Sequence, residues 1–231
     1  MIILGLQKTT LLDFPGKVAS TIFTGGCNFR CPFCHNKDLV FVPTDALFYS
    51  EDEIFQHLES KKKVLDGVCI TGGEPTLHKD LPDFIKRIKD LSLLVKLDSN
   101  GTNPDMISSL ISDSLIDYVA MDIKHSKEKY NSLACMPTFD IGKIEASVEL
   151  LKNSPIDYEF RTTIIKECHQ AQDMEAIGQW LAGAKAYYLQ SYKESPQVIN
   201  PIFSPPSAET LESFVEIVKP YVENTRIRGV D

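Results

Sequence analysis

Six short apolar runs rich in β-branched residues recur along the chain, at 18–24, 67–71, 93–99, 118–123, 158–165 and 186–190, and each reads as a strand. Between most of them lie amphipathic stretches of helical period, at 84–91, 106–111, 143–151 and 174–181, with another at 208–218. Two of these open on helix-start residues: Asp80-Leu-Pro before the first and Asn103-Pro104-Asp105 before the second. Repeated strand–helix–strand units imply a parallel sheet with right-handed crossovers. Six units are too few to close an eightfold barrel, so the pattern predicts an α/β chain folded as a partial (β/α)6 TIM-like barrel with mostly parallel strands. Prolines and glycines are dispersed, with no repeat and no polar linker, so residues 1–231 read as one domain.

Composition narrows the partners. With 231 residues, 43% of them hydrophobic, the chain is long enough to bury a full core. A formal net charge of −8 opposes binding to a phosphate backbone, and Lys61-Lys62-Lys63 reads as a solvated helix end, so no nucleic acid is expected. The opening run from Met1 to Leu6 lacks a basic leader and is too short to span a bilayer, so neither membrane nor export is expected and the chain is assigned to the cytoplasm. In that reducing compartment six cysteines, three of them within positions 27–34, point to metal ligation or catalysis before disulfides.

The crowded segment reads Cys27-Asn-Phe-Arg-Cys31-Pro-Phe-Cys34-His35-Asn36 and follows the first predicted strand. Spacings of three and two residues let one loop wrap three thiolates around a compact soft metal centre. In a four-iron cubane three thiolates leave one iron open, as a catalytic metal site requires. The bland alternative is a zinc knot with His35 or Cys69 as fourth ligand, in a scaffold without catalysis. Cys69, Cys135 and Cys168 are dispersed and read as ordinary cysteines.

Further polar motifs sit within or at the C-terminal ends of predicted strands, where parallel α/β folds bind ligands. In Thr71-Gly72-Gly73-Glu74-Pro75-Thr76 the glycines let backbone carbonyls approach a ligand, although a plain strand-to-loop turn would read the same way. Asp98-Ser99-Asn100-Gly101, taken alone, is a tight turn. Asp122 and Lys124 alternate onto one face and could simply pair. Arg161 interrupts an apolar strand, which is costly unless it meets an anion.

Together these residues resemble the radical S-adenosylmethionine superfamily. Upstream Leu12-Asp13-Phe14-Pro15-Gly16 and the Cys34-His35-Asn36 ending make the chain similar to its glycyl-radical-enzyme activases, the activating proteins of anaerobic ribonucleoside-triphosphate reductase above all, with pyruvate formate-lyase activase as near kin. The resemblance implies a [4Fe-4S] cluster on Cys27, Cys31 and Cys34. It implies S-adenosylmethionine held by Phe33, His35, Gly72, Gly73, Glu74, Asp98, Asn100, Lys124, Arg161 and Gln190, and a monovalent cation near Asp98, Ser99 and Asp122. No catalytic side chain beyond this site is implied. The implied reaction is reductive cleavage to a 5′-deoxyadenosyl radical that takes hydrogen from a glycine of a partner glycyl radical enzyme, with flavodoxin or ferredoxin as one-electron donor. Two departures stand out: Ser99 replaces a usual Thr, and Lys166-Glu-Cys168-His169 replaces a common Pro-Gly turn. The competing substrate is a small molecule of the deazapurine-synthesis kind, whose enzymes share the cysteine spacing but show Gly-Glu-Gly where this chain has Asp13-Phe-Pro-Gly16.

Overall fold

The six runs become β2 (Ala19–Thr24), β3 (Gly67–Gly72), β4 (Leu94–Ser99), β5 (Tyr118–Asp122), β6 (Asp157–Ile164) and β7 (Tyr187–Ser191), each pairing in parallel with the next. The structure is a computed structural model and describes residues 1–229. It adds a strand at each edge of the expected set: β1 (Ile3–Thr10), antiparallel to β2, and β8 (Thr225–Arg228), parallel to β7. Among the described residues the eight strands neighbour one another in chain order and β1 does not pair with β8, so the barrel stays open.

Neither edge strand has a readable period. In β1 the pairing slips between Ile3 and Gly5 and again between Gln7 and Thr10, so burial does not alternate. Strand β8 is polar because Arg228 points at a buried acid: its guanidinium grips both oxygens of Glu159, at 2.5 and 2.9 Å, and lies 3.3 Å over the Tyr188 ring.

Helix α1 (Lys37–Val40) follows the cysteine loop, and α2 (Glu51–Lys61) opens on a capping box between Ser50 and Glu53. The run from Lys61 to Lys63 lies at its exposed end, as expected. The expected helices are α3 (Leu81–Asp90), α4 (Pro104–Ser112), α6 (Gly142–Lys152), α7 (Ala171–Trp180) and α8 (Ala208–Val218); a short α5 (Tyr130–Leu133) lies before α6. Apolar faces such as Leu81, Phe84, Ile85 and Ile88 of α3 are buried with Ile70, Val95, Leu97 and Val119 of the strands in one continuous core. Alternation then gives the other face of the strands to Cys69, Lys96, Asp98, Asp122, Glu159 and Arg161. The interior of this barrel is therefore polar, unlike the packed apolar interior of a closed one. Among the described residues no helix is long and apolar enough to cross a membrane.

Candidate active site

The strand ends meet at a pocket lined by Cys27, Cys31, Cys34, Phe33, His35, Gly72, Gly73, Asp98, Ser99, Asn100, Asp122, Lys124, Arg161 and Gln190. Every residue that the sequence assigned to the cofactors is there except Glu74. The loop leaving β2 lies directly on the loop leaving β3: the Glu74 amide donates to the Gly26 carbonyl at 2.8 Å, and the Gly73 amide to the Thr24 carbonyl at 2.8 Å. A methyl at Gly73 would come within 2.0 Å of the Gly26 oxygen, and Gly72 has φ of 120°, so both glycines are required by contact or by conformation.

The three thiols share one wall of the pocket. Burial pushes the Cys31 thiol up to about 12 and also raises Cys27, so both sulfurs stay protonated until a metal takes them. Among the described residues no three His, Cys, Asp or Glu converge on a single ion. A cubane offers each thiolate its own iron, so the donor set fits a cluster better than a one-ion knot. Of the two alternative fourth ligands, Cys69 is engaged elsewhere and His35 has one ring nitrogen committed. Cys69 lies beside Lys96 and Asp98, at 3.7 and 3.8 Å, and His35 Nε2 donates to the Lys193 carbonyl at 2.5 Å.

A chain of alternating charge forms the opposite wall. Arg161 bridges two carboxylates, reaching Asp98 Oδ2 at 3.1 Å and Asp122 Oδ1 at 3.0 Å; Lys124 holds Asp122 Oδ2 at 2.8 Å, and Lys96 holds Asp98 Oδ1. Burial alone would raise Asp122, but Lys124 and Arg161 bring it down to about 2. Burial would likewise lower the Lys124 ammonium, and Asp122 outweighs it, so Lys124 remains charged at 6.0 Å from the Phe33 ring. With three cations on two carboxylates this wall carries an excess positive charge, which suits a ligand carboxylate. A monovalent cation at Asp98, Ser99 and Asp122, as the sequence led one to expect, would meet oxygens that are already engaged. All four oxygens of Asp98 and Asp122 already accept hydrogen bonds from cationic side chains, and the Ser99 hydroxyl donates instead to Glu74 at 2.9 Å.

Glu74 points inward and is fully buried. Its carboxylate accepts from the Thr76 amide at 3.1 Å, the Thr76 hydroxyl at 2.6 Å, the Ser99 hydroxyl and the Asn100 amide at 2.6 Å. Burial raises its pKa while these donors oppose the shift. Its work is to fix the ends of β3 and β4 relative to each other, and the pocket receives only the backbone of Gly72 and Gly73.

Two contacts on the rim were not foreseen. The segment after β7 clasps the cysteine loop: Ile199 and Asn200 amides donate to the carbonyls of Cys34 and Pro32, at 3.1 and 2.8 Å. The departure at residues 166–169 forms a tight turn closed by His169, whose Nδ1 accepts from the Ile165 amide at 3.1 Å and whose Nε2 donates to the Lys124 carbonyl at 3.2 Å. Thr71 and Thr163 also line the pocket; Thr163 was findable, two positions after Arg161 on the same strand face. Asn28, within the cysteine loop, has no periodic signal at all.

The sequence profile of the Radical SAM superfamily matches residues 21–171, from β2 through the start of α7. The chain belongs to the radical SAM superfamily. Radical SAM relatives include a Methanocaldococcus jannaschii protein provisionally named a glycyl-radical enzyme activating enzyme, 32% identical over 98% of this chain and 95% of its own. A second is the 7-carboxy-7-deazaguanine synthase of Halobacterium salinarum, 37% identical but over only 39% of this chain and 36% of its own. Among solved structures, Escherichia coli QueE superposes with a TM-score of 0.58 at 16% identity, covering 99% of this chain and 94% of that one; the likeness is one of fold. The chain is thus a radical SAM enzyme, and membership implies a [4Fe-4S] cluster and S-adenosylmethionine.

Proposed function

We propose that this enzyme activates a glycyl radical enzyme, with anaerobic ribonucleoside-triphosphate reductase as the favoured partner. The observation that carries the reading is the convergence of three separate motifs on one pocket: the three-thiol loop, the bare Gly72–Gly73 backbone, and the Lys124–Arg161 wall. The near full-length match to a relative named for glycyl-radical activation supports the choice of substrate class.

Cys27, Cys31 and Cys34 would hold the cluster. The carbonyls at Gly72 and Gly73 would accept from the amino group of S-adenosylmethionine, Lys124 would face its carboxylate, and Phe33, His35 and Gln190 would border the adenosyl part. Once bound, this pair supplies reductive cleavage of a carbon–sulfur bond and the resulting deoxyadenosyl radical. The protein's task is to hold the reactants and exclude water, with no side chain acting as acid or base. The single electron would come from a carrier such as flavodoxin or ferredoxin, and the open edge of the barrel leaves room for a glycine-bearing loop.

The test is anaerobic reconstitution with reductant, S-adenosylmethionine and a candidate glycyl radical enzyme. A glycine-centred electron paramagnetic resonance signal is expected, with 5′-deoxyadenosine as co-product, and both should vanish in Cys31→Ala. Cofactor cleavage without a glycine signal from any candidate would favour a small-molecule substrate, the reading supported by the partial match to 7-carboxy-7-deazaguanine synthase.

A further inference from the structure

Asn28 lies between the first two cluster cysteines, and its side chain is part of a closed ring of hydrogen bonds. Asn28 Nδ2 donates to Thr102 Oγ1 at 2.8 Å, Thr102 Oγ1 donates to Asn100 Oδ1 at 2.8 Å, and Asn100 Nδ2 donates back to Asn28 Oδ1 at 2.8 Å. The direction of this ring is forced. The Thr102 backbone amide, which can only donate, also meets Asn100 Oδ1, at 3.0 Å, so the Asn100 amide nitrogen must face the opposite way.

That opposite side holds Asn28 and the sulfur of Cys27. One Nδ2 proton of Asn100 is taken by Asn28, and the other is directed at Cys27 Sγ, 3.9 Å away. The Phe29 amide adds a second donor to the same sulfur at 3.4 Å. Among the described residues these are the hydrogen bonds to the three cluster sulfurs, and both fall on Cys27. Asn100 is itself anchored through its backbone amide to the buried Glu74 carboxylate.

We propose that Asn28 is a positioning residue that acts through Asn100 to set the reduction potential of the cluster. With the flip of the Asn100 amide set by the Thr102 backbone, Asn28 holds one Nδ2 proton and thereby aims the other at the Cys27 thiolate. Donors to a ligand sulfur withdraw charge from it and make the reduced cluster easier to form. The ring thus makes Cys27 the most electron-poor of the three ligands and ties that property to the loop following β4. This inference rests on the cluster assignment made above.

The experiment is an electron paramagnetic resonance-monitored redox titration of the reconstituted full chain, with iron counted in every sample. Asn28→Ala removes the acceptor that holds one Nδ2 proton of Asn100, and Thr102→Val removes only the ring hydroxyl. Both should keep the full complement of iron and show a more negative midpoint than the unaltered protein, with the larger shift in Asn28→Ala. An unchanged midpoint in iron-replete Asn28→Ala overturns the proposal. Should that variant bind no iron, Thr102→Val decides, and an unchanged midpoint there overturns it equally. If the unaltered chain itself takes up no four-iron cluster, the cluster assignment fails and the inference falls with it; a normal cluster with unmoved variants sinks the inference alone.

Discussion

Acid should weaken this fold through one histidine. His169 is 3% exposed, and burial, then the neighbouring His125, lower its pKa from 6.5 to about 4. Its neutral form is fixed by geometry: Nδ1 accepts from the Ile165 amide, so the one proton is on Nε2, which donates to the Lys124 carbonyl. His125 stacks on the ring at 4.8 Å, and a second charge there would be repelled. An unfolded chain takes up the proton below pH 6.5, whereas the folded one resists until about pH 4. Stability contributed by His169 is therefore complete above pH 6.5 and is lost as pH falls through that window. At about 1.4 kcal/mol per pH unit per proton the loss reaches about 3 kcal/mol. Urea titrations from pH 4 to 8, followed by fluorescence of the lone tryptophan, Trp180, would measure it. His169→Asn keeps an acceptor for the Ile165 amide but cannot titrate. The unaltered protein should lose more stability than this variant on acidification, and subtracting the two curves cancels the opposing effect of Glu74, whose pKa is raised. Two curves separated by a constant from pH 8 to 4 would refute the argument.

Gly73→Ala, whose methyl would meet the Gly26 carbonyl at 2.0 Å, should unfold the cofactor edge and cost more than about 3 kcal/mol; Gly16→Ala, with φ of 68° but open space around it, should cost only about 1 kcal/mol in the same thermal melts. Glu74→Gln places an amide NH2 against donors and should destabilise by about 1–3 kcal/mol; an unchanged melt would mean that the native carboxyl already carries a proton. Lys124→Met should weaken S-adenosylmethionine binding by about tenfold or more in equilibrium titrations while leaving iron content unaltered, and unchanged affinity would remove Lys124 from the carboxylate role. Arg161→Met strips the bridge from Asp98 and Asp122 and should cost about 3–5 kcal/mol, whereas Arg161→Lys should restore part of it.

The parallel strands were legible because each is buried on its helix-facing side and bounded by turn residues, and those turns carry the chemistry. The edges were not: β1 slips register twice, and β8 spends its arginine on Glu159, so neither keeps a hydrophobic period. At the site, residues facing the pocket could be identified from their place at strand ends, but the direction in which a side chain spends its hydrogen bonds could not. Glu74 and Ser99 illustrate this. Motif position put both among ligand contacts, while the structure turns them toward each other. Asn28 shows the converse, since its partners Asn100 and Thr102 lie more than seventy positions away and only the folded chain brings them together.

The clasp on the cysteine loop bears on biogenesis. The ligand loop leaves the ribosome early, yet among the described residues the carbonyls of Pro32 and Cys34 find their backbone donors in Asn200 and Ile199. Iron delivery to a half-made chain would meet a loop without its brace. The cysteine loop is therefore held in its final shape only once the seventh strand and the segment beyond it have been made.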